Sequence, residues 1–100
     1  MSETIEKEKQ SQKQNIKPPN MYAVIFLNDD FTTFEFVMSC LQQIFNKTEE
    51  QAFVITQKIH TDGKGVVGQY TKDVAFTKQQ MAIDFAKSHE FPLQVLVQQA

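Results

Sequence analysis

Apolar and polar positions alternate along this chain in blocks, and the blocks predict most of its elements. Met21 to Leu27, reading Met-Tyr-Ala-Val-Ile-Phe-Leu, is a nearly continuous apolar run rich in β-branched and aromatic residues. It predicts a strand buried on at least one face, placed at the centre of the sheet. After the polar stretch Asn28-Asp29-Asp30, residues Phe34, Val37, Met38, Leu41, Ile44 and Phe45 recur at helical spacing. They form one face of a first helix. Thr32-x-x-Glu35 has the pattern of a capping box, and Phe31 with Phe36 is placed to act as a hydrophobic staple. A second capping pattern, Thr48-x-x-Gln51, opens a helix with Ala52, Phe53, Ile55 and Ile59, and Gly63 is positioned to end it. The short link Asn46-Lys47 makes the two helices a hairpin.

Weak alternation around Val66, Val67 and Tyr70 predicts a strand over residues 64–70. Residues 74–87 predict a third helix with Val74, Met81, Ala82 and Phe85 inward, and Pro92 to Val97 has strand composition. The order β-α-α-β-α-β describes a small α+β domain, a three-stranded, mostly antiparallel sheet covered by three helices. Residues 1–17 are rich in Lys, Glu, Gln and Ser, with only Ile5 and Ile16 as internal apolar anchors. They are expected to be a disordered N-terminal extension. Pro18-Pro19 stiffens the exit from that tail, so the folded domain is expected over residues 18–100.

Charge and cysteine content narrow the function classes. The net charge is −2 and all ten basic residues are lysines, interleaved with acids. Without the arginine fork that reads guanine edges, and without a basic patch, nucleic acid is not an expected partner. No apolar run approaches the roughly 20 residues of a membrane span. The lone Cys40 excludes an intrachain disulfide and fits a cytoplasmic protein; beside the apolar face of the first helix, it reads as a small core residue. Asn28, Asp29 and Asp30 form a rigid polar junction between strand and helix, of a kind that either grips a ligand or merely turns the chain. The glycine and terminal glutamate of a calcium loop do not follow it at the right spacing, and no metal site is expected. A carboxylate and His60 would serve acid/base chemistry, yet no nucleophile or phosphate-cradling loop accompanies them, so no catalytic residue is assigned. Taken alone, His60 and His89 read as helix C-terminal residues in favourable dipole positions.

Several motifs taken together closely resemble the ClpS family, adaptors that deliver N-degron substrates to the Clp AAA+ unfoldase and its peptidase. They are Lys17-Pro18-Pro19-x-Met21-Tyr22, Asn28-Asp29-Asp30-x-Thr32, Glu35-Phe36-Val37, His60-x-x-Gly63-Lys64, Gly68-x-Tyr70-Thr71, Ala75-x-Thr77-Lys78 and Pro92-Leu93. They occur in order from about Lys17 to Val97. The resemblance implies a non-enzymatic, cofactor-free adaptor, expected to be a monomer, that binds proteins with a free N-terminal Phe, Tyr, Trp or Leu. A protein-interaction module of the same fold without N-degron recognition is the alternative.

By this resemblance Asn28, Asp29 and His60 would bind the substrate's α-amino group. Thr32, Phe34, Val37, Thr56, Ile59 and Leu93 would line or gate the pocket for its first side chain. Asp73 and Lys78, otherwise ordinary solvated charges, would contact the N-terminal domain of a ClpA-type unfoldase, and the tail would be a segment the unfoldase grips. The chemistry agrees, because an amide oxygen, a carboxylate and a neutral imidazole suit a cation with three N–H donors. A protonated imidazole would repel that cation, so binding is expected to weaken in mild acid. This chain has Phe34 where methionine is common in the family, and Thr56 where the resemblance implies methionine or another apolar residue. A stiff Phe34 is expected to reject Val and Ile as first residues, while Thr56 removes bulk and adds a hydroxyl deep in the pocket.

Overall fold

The computed structural model describes residues 20–100; the expected tail over residues 1–17 and the Pro18-Pro19 boundary lie outside the described residues. The elements are β1 (Tyr22–Leu27), α1 (Phe34–Phe45), α2 (Glu49–Asp62), β2 (Lys64–Tyr70), α3 (Lys72–Ser88) and β3 (Gln94–Gln99). β1 is indeed central, in the order β2-β1-β3, and both pairings are antiparallel. Being hydrogen-bonded on both edges, β1 can afford no polar side chain facing the helices: Val24 and Phe26 are fully buried. Its pairing with β2 shifts register between Val24 and Ile25, which leaves Val67 as the extra residue of a bulge. That bulge turns Val67 inward, where it is 2% exposed and joins the core. β3 begins two residues later than the apolar composition predicts, at Gln94, with Leu93 buried just before it.

α1 packs Phe36, Val37, Cys40, Leu41, Ile44 and Phe45 inward, with the Phe45 ring edge-on to Phe26 at 5.6 Å. Cys40 is a core residue, and burial pushes its thiol up to about 12. The N-cap differs from the expected one. Thr33 caps the helix by accepting from the Phe36 N–H at 3.1 Å, while Thr32 belongs to the preceding turn, where its N–H and hydroxyl both donate to Asp29. The shift by one residue also removes the staple: Phe31 stays in solvent, and Phe36 packs against Phe85 and Phe91, ring centroids at 5.1 and 4.9 Å. His89 belongs to the same aromatic cluster, 4.7 Å from the Phe85 ring.

α2 begins with the expected capping box, Thr48 and Gln51 bonding reciprocally at 3.0 and 3.1 Å. It ends where expected, at Gly63, whose φ of 88° lies in the left-handed region that a side chain would strain. The inner face of α3 differs in part from the expected one. Val74 and Met81 are exposed, and Ala75, Ala82 and Ala86 are buried. Ala82 and Phe85 are inward as expected; the alanines carry little weight in a hydropathy pattern, yet they allow the helix to approach the sheet closely.

Lys78, on α3, is not an ordinary solvated charge. Its Nζ donates to the Ile44 carbonyl at 2.7 Å, in the last turn of α1, and sits over the Phe45 and Tyr70 rings at 5.6 and 5.9 Å. A cation there satisfies an otherwise orphaned helix-end carbonyl and complements the helix dipole. Replacing Lys78 with Met should therefore lower the unfolding free energy in urea by about 1–2 kcal/mol. A change within about 0.5 kcal/mol, the usual size for a surface residue, would show that the tether contributes nothing.

Candidate functional site

Two chain ends meet beside the sheet. β1 runs out at Leu27, and the next residue, Asn28, donates its backbone N–H to the Gly63 carbonyl at 2.8 Å. That bond fixes the start of the polar junction against the end of α2. Gly65 brings α2 close to β2: a Cβ there would meet Ile59 Cγ1 at 2.8 Å. Ile59 and His60 are thus held next to residues 28–34, which are far from them in sequence.

The junction itself is organised by Asp29. One carboxylate oxygen accepts from the backbone N–H groups of Phe31 and Thr32 at 2.8 and 2.7 Å, and the other accepts from the Thr32 hydroxyl at 2.7 Å. This is an Asx-type turn that sets the path into α1. Burial raises the Asp29 pKa, but the bonds from Thr32 and Phe31 lower it by more, and the carboxyl sits below its ordinary value of 3.8.

Between the junction and α2 lies a cavity of about 470 Å³, lined by Asn28, Asp29, Asp30, Thr32, Phe34, Val37, Thr56, Ile59 and His60. Eight of the nine residues expected at an amine-and-side-chain site are therefore together. Leu93 is the exception; it is 6% exposed within the main core and does not line the cavity. It is held there by its place just ahead of the edge strand β3, beneath the helices. Asp30 is the addition, an exposed carboxylate that accepts no hydrogen bond among the described residues. Its signal in the sequence was its adjacency to Asp29 in the same polar run.

The polar part of the lining comprises Asn28, Asp29, Asp30, Thr32 and His60, and no lysine lines the cavity. Among the described residues the Asn28 amide and the His60 imidazole have no protein hydrogen-bond partner, whereas three of the Asp29 lone pairs are taken by the turn. Phe34, Val37, Thr56 and Ile59 complete the lining. Thr56 is 3% exposed and its hydroxyl donates back to the Ala52 carbonyl at 2.7 Å. The deep hydroxyl is therefore not a free donor, and it burdens an apolar occupant less than the sequence implies.

Asp73 and Lys78 lie elsewhere, on α3, around a shallow depression of about 280 Å³ with Val74, Thr77 and Met81. Among the described residues no group of three potential ligands is placed to hold a metal ion, and no helix is long and apolar enough to cross a membrane.

Because the folded-state pKa of Asp29 is depressed, its contribution to stability is present above the ordinary value of 3.8 and is lost as the pH falls through the lower folded value. Unfolding free energy should fall as the pH drops below about 4, and fall less steeply in Asp29→Asn, which keeps one acceptor oxygen and removes the charge. Equal slopes in chemical denaturation of the two proteins would refute the role given to this carboxylate.

The comparisons with known proteins agree with this architecture. A family model described as the ATP-dependent Clp protease adaptor protein ClpS matches residues 17–96. The ClpS adapter protein of Nitrosospira multiformis is 46% identical over 90 residues, covering 90% of this chain and 88% of the relative. That of Helicobacter hepaticus is 46% identical over 84 residues, covering 84% and 85%. Among solved structures, Agrobacterium tumefaciens ClpS2 bound to L-phenylalaninamide superposes with a TM-score of 0.80 at 34% identity, covering 83% of this chain and 100% of that one. The family is one of protease adaptors rather than proteases. On the shared fold, the family-model match and the identity over most of its length, this chain belongs to the ClpS family of Clp protease adaptors.

Proposed function

We propose that the cavity binds the free N-terminus of a protein whose first residue is Phe, Tyr, Trp or Leu, an N-degron, and that the adaptor delivers that protein to a Clp AAA+ unfoldase. The observation that carries this reading is the joining, in one cavity, of acceptors at Asn28, Asp30 and His60 that have no partner among the described residues with the apolar surface of Phe34, Val37, Thr56 and Ile59. An α-ammonium group has three donors and a positive charge, and it meets an amide oxygen, an imidazole nitrogen and two carboxylates. Asp29 acts mainly by charge and by shaping the turn, since most of its acceptor capacity is already used. The ligand of ClpS2, L-phenylalaninamide, combines a free α-amine with an aromatic side chain.

Magnitudes explain why both halves are needed. Burying a Phe or Leu side chain contributes about 1.5–3 kcal/mol before the cost of association. Each charge-assisted hydrogen bond to the amine contributes about as much. The Phe34 ring on the wall crowds the β-carbon of the first residue, so Val and Ile, with a second heavy atom there, are rejected.

For delivery, the unfoldase's N-terminal domain, of the ClpA type, docks at the α3 surface around Asp73 and Lys78. Because the Lys78 amine is held by Ile44, that contact uses its charge rather than a freely moving side chain. The adaptor acts as a monomer in the cytoplasm, a reducing compartment in which the single buried Cys40 needs no partner.

Fluorescence anisotropy with a labelled Phe-initiated peptide, its N-acetylated twin and a Val-initiated peptide tests the reading. The free Phe peptide should saturate the protein, acetylation should weaken binding by at least about tenfold, and Val should bind weakly or not at all. Asn28→Ala should weaken the Phe peptide by about ten- to a hundredfold while leaving the acetylated peptide unchanged. Equal binding of the free and acetylated peptides would refute recognition of the amine, and no binding of any peptide would leave the fold without this function.

A further inference from the structure

Phe34 is the first residue of α1 and stands on the cavity wall, but its ring is absent from the main core cluster. One other ring packs against it among the described residues. Phe53, on α2 three residues before Thr56, lies with its ring centroid 5.6 Å from that of Phe34, the planes tilted by 58°. Phe53 does not line the cavity, is 49% exposed and is likewise outside the main core. A half-exposed phenylalanine contributes little to folding, and its one ordered aromatic partner is a residue of the candidate site.

We propose that Phe53 is a positioning residue for the site, buttressing the Phe34 ring so that it stays against the cavity and excludes β-branched first residues. The inference rests on the N-terminus-binding reading above. A ring at the first position of a helix has few neighbours, and without a support it would turn between rotamers and open the space beside the ligand's β-carbon. A tilted aromatic pair holds it in one arrangement. The pair also links the first turn of α1 to the middle of α2, the two elements that supply the apolar wall. Phe53 thus selects among substrates without touching them.

The test measures dissociation constants of Phe-, Leu- and Val-initiated peptides for the full chain, for Phe53→Ala, for Phe53→Tyr and for Val54→Ala, a control at an exposed neighbouring position of the same helix. Phe53→Ala should narrow the Val-to-Phe ratio of dissociation constants by about three- to tenfold, the size of effect one aromatic pair supplies. The gain should come from tighter Val binding, with the Phe peptide unchanged within about twofold. Phe53→Tyr, which keeps the ring, should restore the wild-type ratio, and Val54→Ala should not move it. An unchanged ratio in Phe53→Ala overturns the proposal. So does a uniform loss of affinity for all three peptides with a lowered unfolding midpoint, which would mark Phe53 as merely structural. If the unmodified chain binds no Phe peptide, the N-terminus-binding reading fails first and this proposal falls with it, an outcome visible before any variant is made.

Discussion

A single backbone hydrogen bond, from the Asn28 N–H to the Gly63 carbonyl, is the constraint on which the candidate site depends. It joins the end of the central strand to the end of α2 across 35 residues of sequence. Everything polar in the cavity hangs on one side or the other of it: Asn28, Asp29 and Asp30 follow from the strand, and His60 precedes the glycine. Gly63 makes the bond possible by turning its carbonyl at a φ of 88°. The apolar wall is held by separate means, with Val37 and Ile59 in the main core and Phe34 braced by Phe53.

The cavity therefore draws on two kinds of order. Val37 and Ile59 belong to the core, and any substitution that loosens α1 or α2 against β1 would be felt there. The polar junction rests on local bonds, most of them made by Asp29. The Asp29 carboxylate has little free acceptor capacity because its bonds shape the turn. Lys78 on α3 likewise ties two helices together through the Ile44 carbonyl.

Much of this was legible in the sequence, for identifiable reasons. The strand Tyr22–Leu27, the stripe from Phe34 to Phe45 and the capping box at Thr48 all follow from local side-chain chemistry, and all are present. The inner face of α3 was read in part: Ala82 and Phe85 face inward as expected, whereas Val74 and Met81 do not, because Ala75 and Ala86, whose small size matters to packing but not to hydropathy, make the remaining contacts. The cap of α1 was misplaced by one residue because Thr32 and Thr33 are equally good caps in isolation, and only the Asp29 turn decides between them. Neighbourhood in space was harder still. Residues 28–37 and 56–60 could be assigned to one site through family resemblance, whereas Asp30 on the lining, Leu93 off it and the Phe53 brace required coordinates.

The central claim is that one cavity reads both a free α-amine and the side chain beside it. Titrating the isotopically labelled full-length chain with L-phenylalaninamide and with its N-acetyl derivative, while following backbone amide resonances by NMR, tests this most directly. The account predicts that the free amine shifts residues 28–37 and 56–60, leaves α3 around Asp73 unmoved, and that the acetylated compound produces almost no shifts at the same concentrations. Shifts of equal size with both compounds, or shifts confined to α3, would contradict it.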